Sequence, residues 1–441
     1  MNLDLSKIKN VHFVGIGGIG ISAIARMMLH DGKIVTGQDM QDGEVVQELI
    51  KAGIDIKIGQ SYENIPEDAD LIVYTIAIDT YDPELSKKTK EQTKIPVRSY
   101  PQMLDILSRD KYTIAICGTH GKTTTTAMIA QVLCDHGNDP TVIVGSLLVG
   151  TKSNFIAGKS QYLVVEACEY RRSFLNINPK ILVITNIDED HLDYYKDIED
   201  IKNAFHEMVM KVPADGYVVC NPDDKNISDV IKNINAQVVN YHDFFDDHLK
   251  LKIPGTHNRK DAAAAMAVAN ILDIPKDDTQ KSLAQFPGTW RRFEYKGETK
   301  EGAKVYDDYA HHPTEIVATL EGFRELYSGT EGWNITVVFQ PHLFSRTKLL
   351  LDDFAKSFTL ADSILLLPIY YAREEDDGSI SSKILSDEIN KFQANTNSQA
   401  FNNFEDTEKA LKQRVFTDKN IIVTMGAGEA FKIGDNLLKL Q

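Results

Sequence analysis

The sequence predicts an α/β protein of three domains, built mainly on parallel sheets. Strand and helix patterns alternate along the first hundred residues, as in a parallel sheet covered by helices. Two glycine-rich turns, at 15–20 and 118–123, each lie between an apolar strand and a helix. The length of 441 residues allows two or three domains, each with its own core.

The first domain is predicted for residues 1–108. Strands are indicated where β-branched and apolar residues cluster, and helices where apolar residues recur at helical spacing. The predicted strands are 11–14, 34–36, 54–58 and 71–75, and the predicted helices are 19–29, 45–52 and 102–108. A break in this pattern between Pro96 and Pro101 precedes the boundary.

The second domain is predicted for residues 109–288 and the third for 289–441, with the boundary at the Pro-Gly break after Phe286. In the second, strands are predicted at 162–166, 181–185 and 216–220 and an alanine-rich helix at 261–272. In the third, strands are predicted at 305–307, 335–339, 363–367 and 421–424. The polar stretch 393–403 is predicted to be a loop.

Composition excludes several functional classes. The net charge of −16 disfavours a nucleic-acid partner, which requires a basic surface. The four cysteines show no CxxC spacing, so neither a zinc site nor a disulfide framework is indicated, and a reducing cytoplasm is expected. The first ten residues carry charges and no apolar segment, so no signal peptide is predicted. The apolar stretch 11–29 contains His12, Arg26 and several glycines and does not predict a membrane span.

The turn from Gly118 to Thr123 predicts a phosphate-binding loop. Backbone N–H groups and the positive end of the following helix would converge on an anion. Lys122 would reach the terminal phosphates, and the Thr123 hydroxyl would contact Mg²⁺. The loop is shorter than the common form, because Ile116 stands where that form has its first glycine. A surface turn that caps a helix is the alternative, but the strand before and the helix after favour a nucleoside triphosphate.

A second glycine loop follows the first strand and opens the first helix. Glycine there lets the backbone approach a pyrophosphate, and Asp39 ends the second strand, where dinucleotide-binding units place a ribose-binding acid. The pattern is weak alone, because tight strand–helix packing also requires glycine. It favours a diphosphate-containing ligand, with these candidate residues: Gly15, Gly17, Gly18, Gly20 and Asp39.

Acidic and histidine side chains follow two further predicted strands. Glu166 ends one, and His191 follows the acidic turn after the other. In a parallel sheet both positions lie at the same edge as the phosphate loop, so Glu166 and His191 are predicted to meet there as ligands of a second Mg²⁺. The structural alternative is a helix cap at 188–190 with His191 on the surface.

Further candidates lie from residue 255 onward. Asn258 suits a helix-capping turn or a hydrogen bond to an adenine edge. The adjacent Arg291 and Arg292 would clamp a phosphate, or form a surface charge pair. The two acids and two histidines at 307–312 suit metal ligands or a helix cap, and Arg346 is a candidate carboxylate binder.

Several motifs, in this order, resemble those of the Mur ligases. They are GIGGIGIS (15–22), GTHGKTTT (118–125), EACEYRRSFL (166–175), TNIDEDHLDYY (185–195), PGTHN (254–258), RRFE (291–294), DDYAHHPTEI (307–316), FQPHLFSRT (339–347) and the GAG turn (426–428). They are spread over most of the chain, so a chance match to all of them is excluded.

The resemblance implies an N-terminal Rossmann-like domain that holds a UDP-sugar, a central P-loop ATPase-like domain, and a Rossmann-like C-terminal domain that brings an amino acid and closes. It implies an ATP- and Mg²⁺-dependent enzyme that joins L-alanine to the carboxylate of UDP-N-acetylmuramate through an acyl phosphate. A monomer or homodimer in the cytoplasm, without nucleic acid or membrane, is expected.

The resemblance also assigns roles to single residues. Lys122 would neutralise the transferring phosphoryl group, and Arg346 would be catalytic. Thr123, Glu166 and His191 would hold two Mg²⁺ ions between ATP and the substrate carboxylate. The remaining implied nucleotide-binding residues are Gly118, Thr119, His120, Gly121, Thr124, Asn258 and Arg292, and the implied substrate-side residues are His311, His342 and Arg346.

Two departures from the family pattern stand out. Asp261 replaces an asparagine that the family usually carries, which places a negative charge near ATP. The segment before Pro254 is abbreviated, so the central sheet is expected to lack an antiparallel edge. The two departures leave open a catalytically idle nucleotide-sugar binder. Two further alternatives also stay open: the related murein tripeptide ligase, and an NAD(P)-dependent oxidoreductase suggested by the first glycine loop alone.

Overall fold

The computed structural model describes residues 3–149, 153–192, 194–371, 374–392 and 397–439. Their strands form three sheets, of five, seven and six strands. The chain divides into two compact units, one of residues 1–246 and 260–285, the other of residues 247–259 and 286–441. The first unit contains two sheets and the second contains the third, which confirms the predicted three-domain α/β class.

The first sheet is parallel throughout, in the order β3-β2-β1-β4-β5. Its strands are β1 (Asn10–Val14), β2 (Ile34–Asp39), β3 (Asp55–Ile58), β4 (Leu71–Tyr74) and β5 (Val97–Ser99). Its helices are α1 (Ile19–His30), α2 (Glu44–Lys51), α3 (Ile78–Tyr81), α4 (Pro83–Glu91) and α5 (Tyr100–Ser108). Because β1 lies between β2 and β4, the loop after β1 is at the switch point where such sheets bind ligands.

The second sheet has the order β12-β11-β10-β6-β9-β7-β8 and is parallel except for the pair β7–β8. Its strands are β6 (Tyr112–Cys117), β7 (Thr141–Leu148), β8 (Ser153–Ile156), β9 (Tyr162–Glu166), β10 (Ile181–Ile184), β11 (Tyr217–Cys220) and β12 (Gln237–Asn240). The helices of this region are α6 (Lys122–Asp135), α7 (Ile198–Val209), α8 (Lys225–Val230), α9 (Thr256–Ile271) and α10 (Lys276–Gln285). The loop after β6 is therefore flanked by the ends of β9 and β10.

The third sheet has the order β13-β14-β18-β15-β16-β17, with β13 antiparallel to β14 and the other pairs parallel. Its strands are β13 (Glu294–Glu298), β14 (Lys304–Asp308), β15 (Asn334–Phe339), β16 (Ser363–Leu366), β17 (Asn397–Ala400) and β18 (Asn420–Met425). Its helices are α11 (Pro313–Leu326), α12 (Phe344–Leu349), α13 (Leu351–Ser357), α14 (Ser382–Phe392), α15 (Phe404–Lys412) and α16 (Phe431–Lys439).

The central strands are apolar because helices cover both faces of the sheet. Every residue of β10 is fully buried, the usual state of a strand inside a parallel sheet. Each buried aliphatic side chain of this kind contributes about 1.5–3 kcal/mol relative to an exposed one. The first turn of α6, from Thr123 to Thr126, is also buried, so a rigid core supports the end of the phosphate loop.

One expectation from the sequence was wrong. The stretch 393–403 was predicted to be a loop, but its residues Asn397–Ala400 form β17; residues 393–396 lie outside the described residues.

The segment before Pro254 adds no antiparallel strand to the central sheet, as its shortness led us to expect. Residues 241–253 contain a short 3₁₀ turn at Tyr241–Phe244 and no strand, and the edge strand β12 is parallel to its neighbour. The antiparallel pair β7–β8 lies at the opposite edge and is formed by a different part of the chain.

The predicted boundaries at 108/109 and 288/289 stay predictions. The chain passes from the first sheet to the second between Ser99 and Tyr112, and from the second to the third between Asn240 and Glu294. Both predicted boundaries fall within these connecting segments. Among the described residues, no helix combines the length and the apolar character that crossing a membrane requires.

Candidate active site

The phosphate loop is held by the end of the neighbouring strand β10. Thr119 and His120 donate their backbone N–H groups to Asn186, to its carbonyl at 3.2 Å and to its side-chain oxygen at 2.9 Å. Gly118 has φ 135° and Gly121 has φ 80°, conformations that favour glycine. A Cβ atom on Gly118 would overlap the Thr185 hydroxyl. The turn is therefore fixed in shape before any ligand binds.

Lys122 lies at the start of α6 with its side chain 14% exposed, and it contacts three oxygen atoms. Its Nζ lies 2.5 Å from the Gly118 carbonyl, 3.0 Å from the Thr119 carbonyl and 3.0 Å from Glu169 Oε1. Burial alone would lower the pKa of Lys122, but the Glu169 carboxylate outweighs it and holds that pKa above its ordinary value. The ammonium is therefore charged and lies beside the loop, as the sequence predicts.

Thr123 and Glu166 lie together at the same edge. The Thr123 hydroxyl donates to Glu166 Oε1 at 3.1 Å, and the backbone N–H of Gly145 donates to Glu166 Oε2 at 2.7 Å. Two neighbouring oxygen ligands of an octahedral Mg²⁺, each about 2.1 Å from the ion, lie about 3.0 Å apart. The Thr123–Glu166 pair matches that separation, and both donors are the hard oxygens that Mg²⁺ prefers.

His191 contacts Glu169, which sequence reasoning did not single out. His191 Nε2 lies 3.5 Å from Glu169 Oε1 and 3.9 Å from Asp190 Oδ2, and the ring packs against Tyr170 with centroids 4.8 Å apart. Burial alone would raise the pKa of Glu169, but Lys122 and His191 hold it below its ordinary value. The signal in the sequence was its place in the 166–175 motif, three residues after Glu166.

The first glycine loop lies against Asp39, as predicted. The backbone N–H of Gly17 donates to Asp39 Oδ2 at 2.8 Å, and a Cβ atom on Gly17 would lie 2.7 Å from a methyl group of Val46. Gly15 has φ 74°, and Gly18 is the N-cap of α1 without a side-chain cap. The N-terminal N–H groups of α1 thus face the switch point of the first sheet.

Residues predicted on the substrate side form a cluster within the second unit. Arg292 pairs with Glu315 at 3.6 Å, and His311 Nδ1 lies 3.2 Å from the other oxygen of Glu315. The rings of His311 and His342 have centroids 5.9 Å apart, and Arg346 donates to His342 Nδ1 at 3.2 Å. Two guanidinium groups and two imidazoles therefore form one continuous set of contacts, in which Arg292 and His311 share Glu315.

Arg291 and Asn258 both have structural partners. Arg291 is buried and donates to Asp307 at 2.7 Å and to the carbonyls of Gly426 and Gly428 at 2.6 and 2.9 Å. The two adjacent arginines thus do not act as one phosphate clamp. Asn258 is buried, and its amide donates to the Pro254 carbonyl at 2.6 Å. Its contact with adenine stays a prediction.

Asp261 lies directly against the phosphate loop. A Cβ atom on Gly121 would be 2.6 Å from Asp261 Oδ1, and the side chain is 7% exposed. The departure from the family pattern therefore places a carboxylate against Gly121, the N-cap of α6.

The folds and these loops are those of a nucleotide-binding α/β protein with two glycine-rich anion sites. Three family models match successive parts of the chain: the Mur ligase family catalytic domain at 10–112, the Mur ligase middle domain at 116–248, and the Mur ligase glutamate ligase domain at 291–428. The chain belongs to the Mur ligase family.

The chain is also similar to particular members of this family. The UDP-N-acetylmuramate–L-alanine ligase of Clostridium tetani is 41% identical, over 100% of both chains. The solved structure of the UDP-N-acetylmuramate–alanine ligase from Thermotoga maritima is 28% identical, with a TM-score of 0.79 over 98% of this chain and 99% of that one. A murein peptide ligase from Psychrobacter arcticus shares the fold, with 23% identity and a TM-score of 0.72 over 98% of each chain.

Proposed function

We propose that this chain is an ATP-dependent ligase that joins L-alanine to the carboxylate of UDP-N-acetylmuramate in peptidoglycan precursor synthesis. The observation that carries the proposal is the full-length match, at 41% identity, to a curated ligase of that activity. The phosphate loop supports it, because Lys122 contacts the Gly118 carbonyl of the loop and Thr123 contacts Glu166.

In this proposal the reaction has two steps. A carboxylate oxygen of the sugar substrate attacks the γ-phosphorus of ATP, which forms an acyl phosphate and releases ADP. The alanine amine then attacks the acyl carbon, and phosphate leaves from the tetrahedral intermediate as the amide forms. Such phosphoryl transfer depends mainly on positioning and on charge stabilisation.

We assign Lys122 to the terminal phosphates and the backbone N–H groups of Lys122, Thr123 and Thr124, at the N-terminus of α6, to the phosphate chain. The N–H groups of Thr119 and His120 hold the loop to Asn186. The protonated ammonium of Lys122 would exchange a backbone carbonyl for a phosphate oxygen. Thr123 would contact one Mg²⁺, and Glu166 and His191 would hold a second; when bound, these ions supply positive charge to the phosphate oxygens. The Thr123 hydroxyl and the Glu166 carboxylate fit Mg²⁺, because both are hard oxygen donors.

The remaining assignments are proposals from the family pattern. The loop Gly15–Gly20 and Asp39 would bind the UDP portion, with the α1 N-terminus facing the diphosphate. Asn258 and Arg292 would bind ATP. His311, His342 and Arg346 would bind the amino acid and the carboxylate undergoing reaction, for which the fork of an arginine is suited.

One assay tests the proposal. Purified protein is incubated with UDP-N-acetylmuramate, ATP and Mg²⁺, and phosphate release is followed with each amino acid in turn and with the murein tripeptide. Alanine-dependent release with formation of the amide is expected. Release that requires the tripeptide would identify the related murein peptide ligase instead, and binding of the nucleotide sugar without any release would identify an idle binder. Binding of a nicotinamide dinucleotide to the first loop would favour the oxidoreductase alternative.

We also propose a cytoplasmic enzyme, because both ATP and a UDP-linked precursor are substrates there. A monomer or homodimer is expected. Light scattering during size-exclusion chromatography measures the mass of the particle, and a larger assembly would contradict this.

A further inference from the structure

Glu169 is a buried acid that has no role in the reaction scheme above. Its side chain is 3% exposed, and Oε1 lies 3.0 Å from Lys122 Nζ and 3.5 Å from His191 Nε2. Its second oxygen, Oε2, is buried without a hydrogen-bond partner among the described residues. One carboxylate thus joins the phosphate-loop lysine to the histidine proposed as a metal ligand.

The backbone around Glu169 fixes this side chain in place. The Glu169 carbonyl accepts hydrogen bonds from the Tyr195 hydroxyl at 2.5 Å and from the Arg172 N–H at 2.8 Å. Arg171 and Arg172 follow with φ of 52° and 56°, which is unusual for residues other than glycine. Strain of this kind persists only where the surrounding contacts over-determine the turn, and it clusters at functional sites.

The contact with Lys122 has a consequence for nucleotide binding. The ammonium has three N–H groups, and Gly118, Thr119 and Glu169 each accept one. A phosphate oxygen must displace one of these partners. Hydrogen bonds to a carboxylate are stronger than those to a neutral carbonyl, so Lys122 would keep Glu169 and release a carbonyl.

The contact with His191 has a second consequence. Histidines that bind metals commonly present their other ring nitrogen to a carboxylate, which fixes the orientation of the ring. Here Nε2 faces Glu169, which leaves Nδ1 as the nitrogen for a cation. The left-handed backbone of His191, with φ 55°, directs the side chain from the turn toward Glu169.

We propose that Glu169 is a positioning residue: it orients Lys122 toward the nucleotide phosphates and His191 toward the divalent cation. This rests on the proposed function, because it assumes that the loop binds a magnesium nucleotide. Glu169 acts through these two side chains.

Glu169→Gln tests the proposal, because it removes the charge and keeps the size. Binding of ADP is measured by calorimetry over a series of Mg²⁺ concentrations, without turnover. Loss of an outer partner of a metal ligand commonly weakens a site about 10- to 100-fold, so we expect the ADP Kd and the Mg²⁺ concentration for half-maximal binding to rise by about tenfold or more. The Kd for UDP-N-acetylmuramate should stay within about twofold.

Glu207→Gln is the matched control. Glu207 is an exposed acid on α7 that pairs with Arg172, so its loss changes the net charge equally without touching Lys122. Both ADP binding and the Mg²⁺ midpoint should match those of the wild type. Glu169→Asp, which keeps the charge on a shorter side chain, should restore part of the affinity.

Two results would overturn the inference while leaving the proposed function intact. One is a Glu169→Gln variant that binds ADP with the wild-type Kd and Mg²⁺ midpoint. The other is an equal loss of ADP and UDP-sugar binding together with a lower unfolding temperature, which would indicate a general structural role. If the wild-type protein itself binds no magnesium nucleotide, the proposed function fails, and the inference fails with it.

Discussion

The charge of Lys122 is the residue-scale feature on which the proposed reaction depends most. Its ammonium lies at the N-terminus of α6 and pairs with Glu169, whose side chain is buried. An ion pair of this kind is costly to break from one side, because the remaining charge stays buried without compensation. Substitution of Lys122 therefore changes stability as well as catalysis, and the two effects need separate measurements.

Lys122→Ala should reduce alanine-dependent phosphate release by at least about a hundredfold, as expected for loss of a charge that stabilises the transition state. The Kd for UDP-N-acetylmuramate should stay within about twofold. The unfolding free energy should fall by about 3 kcal/mol, since Glu169 is left unpaired. The double variant Lys122→Met with Glu169→Gln should recover stability but not turnover. Turnover that survives in Lys122→Ala would show that the loop is wrongly assigned.

Asp261 is a second residue whose charge bears on nucleotide binding. Its carboxylate lies against Gly121, where an anion would meet the helix N-terminus. Repulsion between unit charges at such a site is on the order of 1 kcal/mol. Asp261→Asn should therefore lower the ATP Kd about fivefold. The exposed Asp277→Asn change on α10 is the control and should have no effect; equal affinities for the Asp261 variant and the wild type would show that the carboxylate is already neutralised.

At the scale of elements, the shape of the turn between β6 and α6 depends on Gly118 more than on its other residues. Gly118→Ala places a side chain at φ 135°, and its methyl group would overlap the Thr185 hydroxyl. We expect a loss of about 2–4 kcal/mol in unfolding free energy and no measurable ADP binding by calorimetry. Gly137, just after α6, has φ 81° with open space around it, so Gly137→Ala should cost about 1 kcal/mol and leave ADP binding unchanged. Tight ADP binding by Gly118→Ala would mean that the loop shape is not required.

Several strands with strong apolar patterns were predictable from the sequence, and the polar edge strands β12 and β17 were not. Every residue of β10 is buried, and its continuous run of aliphatic residues predicts a central strand. The edge strand β17 reads Asn-Ser-Gln-Ala with only Ser398 buried, so no hydrophobic pattern marks it. Edge strand β12 is likewise half-exposed and was not predicted.

The candidate active site likewise combines contacts that could be predicted from the sequence with contacts that could not. Thr123 and Glu166 follow strands whose order in a parallel sheet places their ends side by side, and the two side chains are in contact. Glu169 lies beyond the end of β9, where the positive-φ residues Arg171 and Arg172 turn the chain. No periodicity encodes such a turn, so its contact with His191 was not predictable.

At the scale of the whole molecule, three groups with shifted pKa values should make stability depend on pH between 4 and 6.5: His12 and Asp308, which are buried, and His257, which is half-buried. Burial lowers the pKa of His12 and of His257 to about 4, and burial raises the pKa of Asp308 to about 6. For the two histidines the unfolded chain binds a proton that the folded protein excludes, so stability is lost as the pH falls from 6.5 to 4. For Asp308 the folded protein binds the proton more tightly, so stability is gained over the same fall.

These groups are divided unequally between the two compact units. His257 and Asp308 both lie in the second unit and act in opposite directions, so their effects partly cancel there. His12 lies in the first unit, 1% exposed between β1 and β2, with Nδ1 2.8 Å from the Thr36 hydroxyl and Nε2 3.2 Å from Gln38 Nε2. Of these three groups, His12 is the one that lies in the first unit. The first unit should therefore be the more acid-sensitive one.

Hydrogen exchange between pH 7 and pH 4.5 measures this, because peptides report on each unit separately. Opening of the first unit should become easier on acidification, with His12 accounting for up to about 3 kcal/mol between pH 6.5 and pH 4. His12→Gln keeps a polar side chain beside Thr36 but cannot take up a proton, so it should flatten the pH dependence of the first unit and leave that of the second unchanged. The exposed His136→Gln control should retain the wild-type profile. If the His12→Gln protein still loses the stability of its first unit over this range, the acid sensitivity arises elsewhere than in the buried imidazole between β1 and β2.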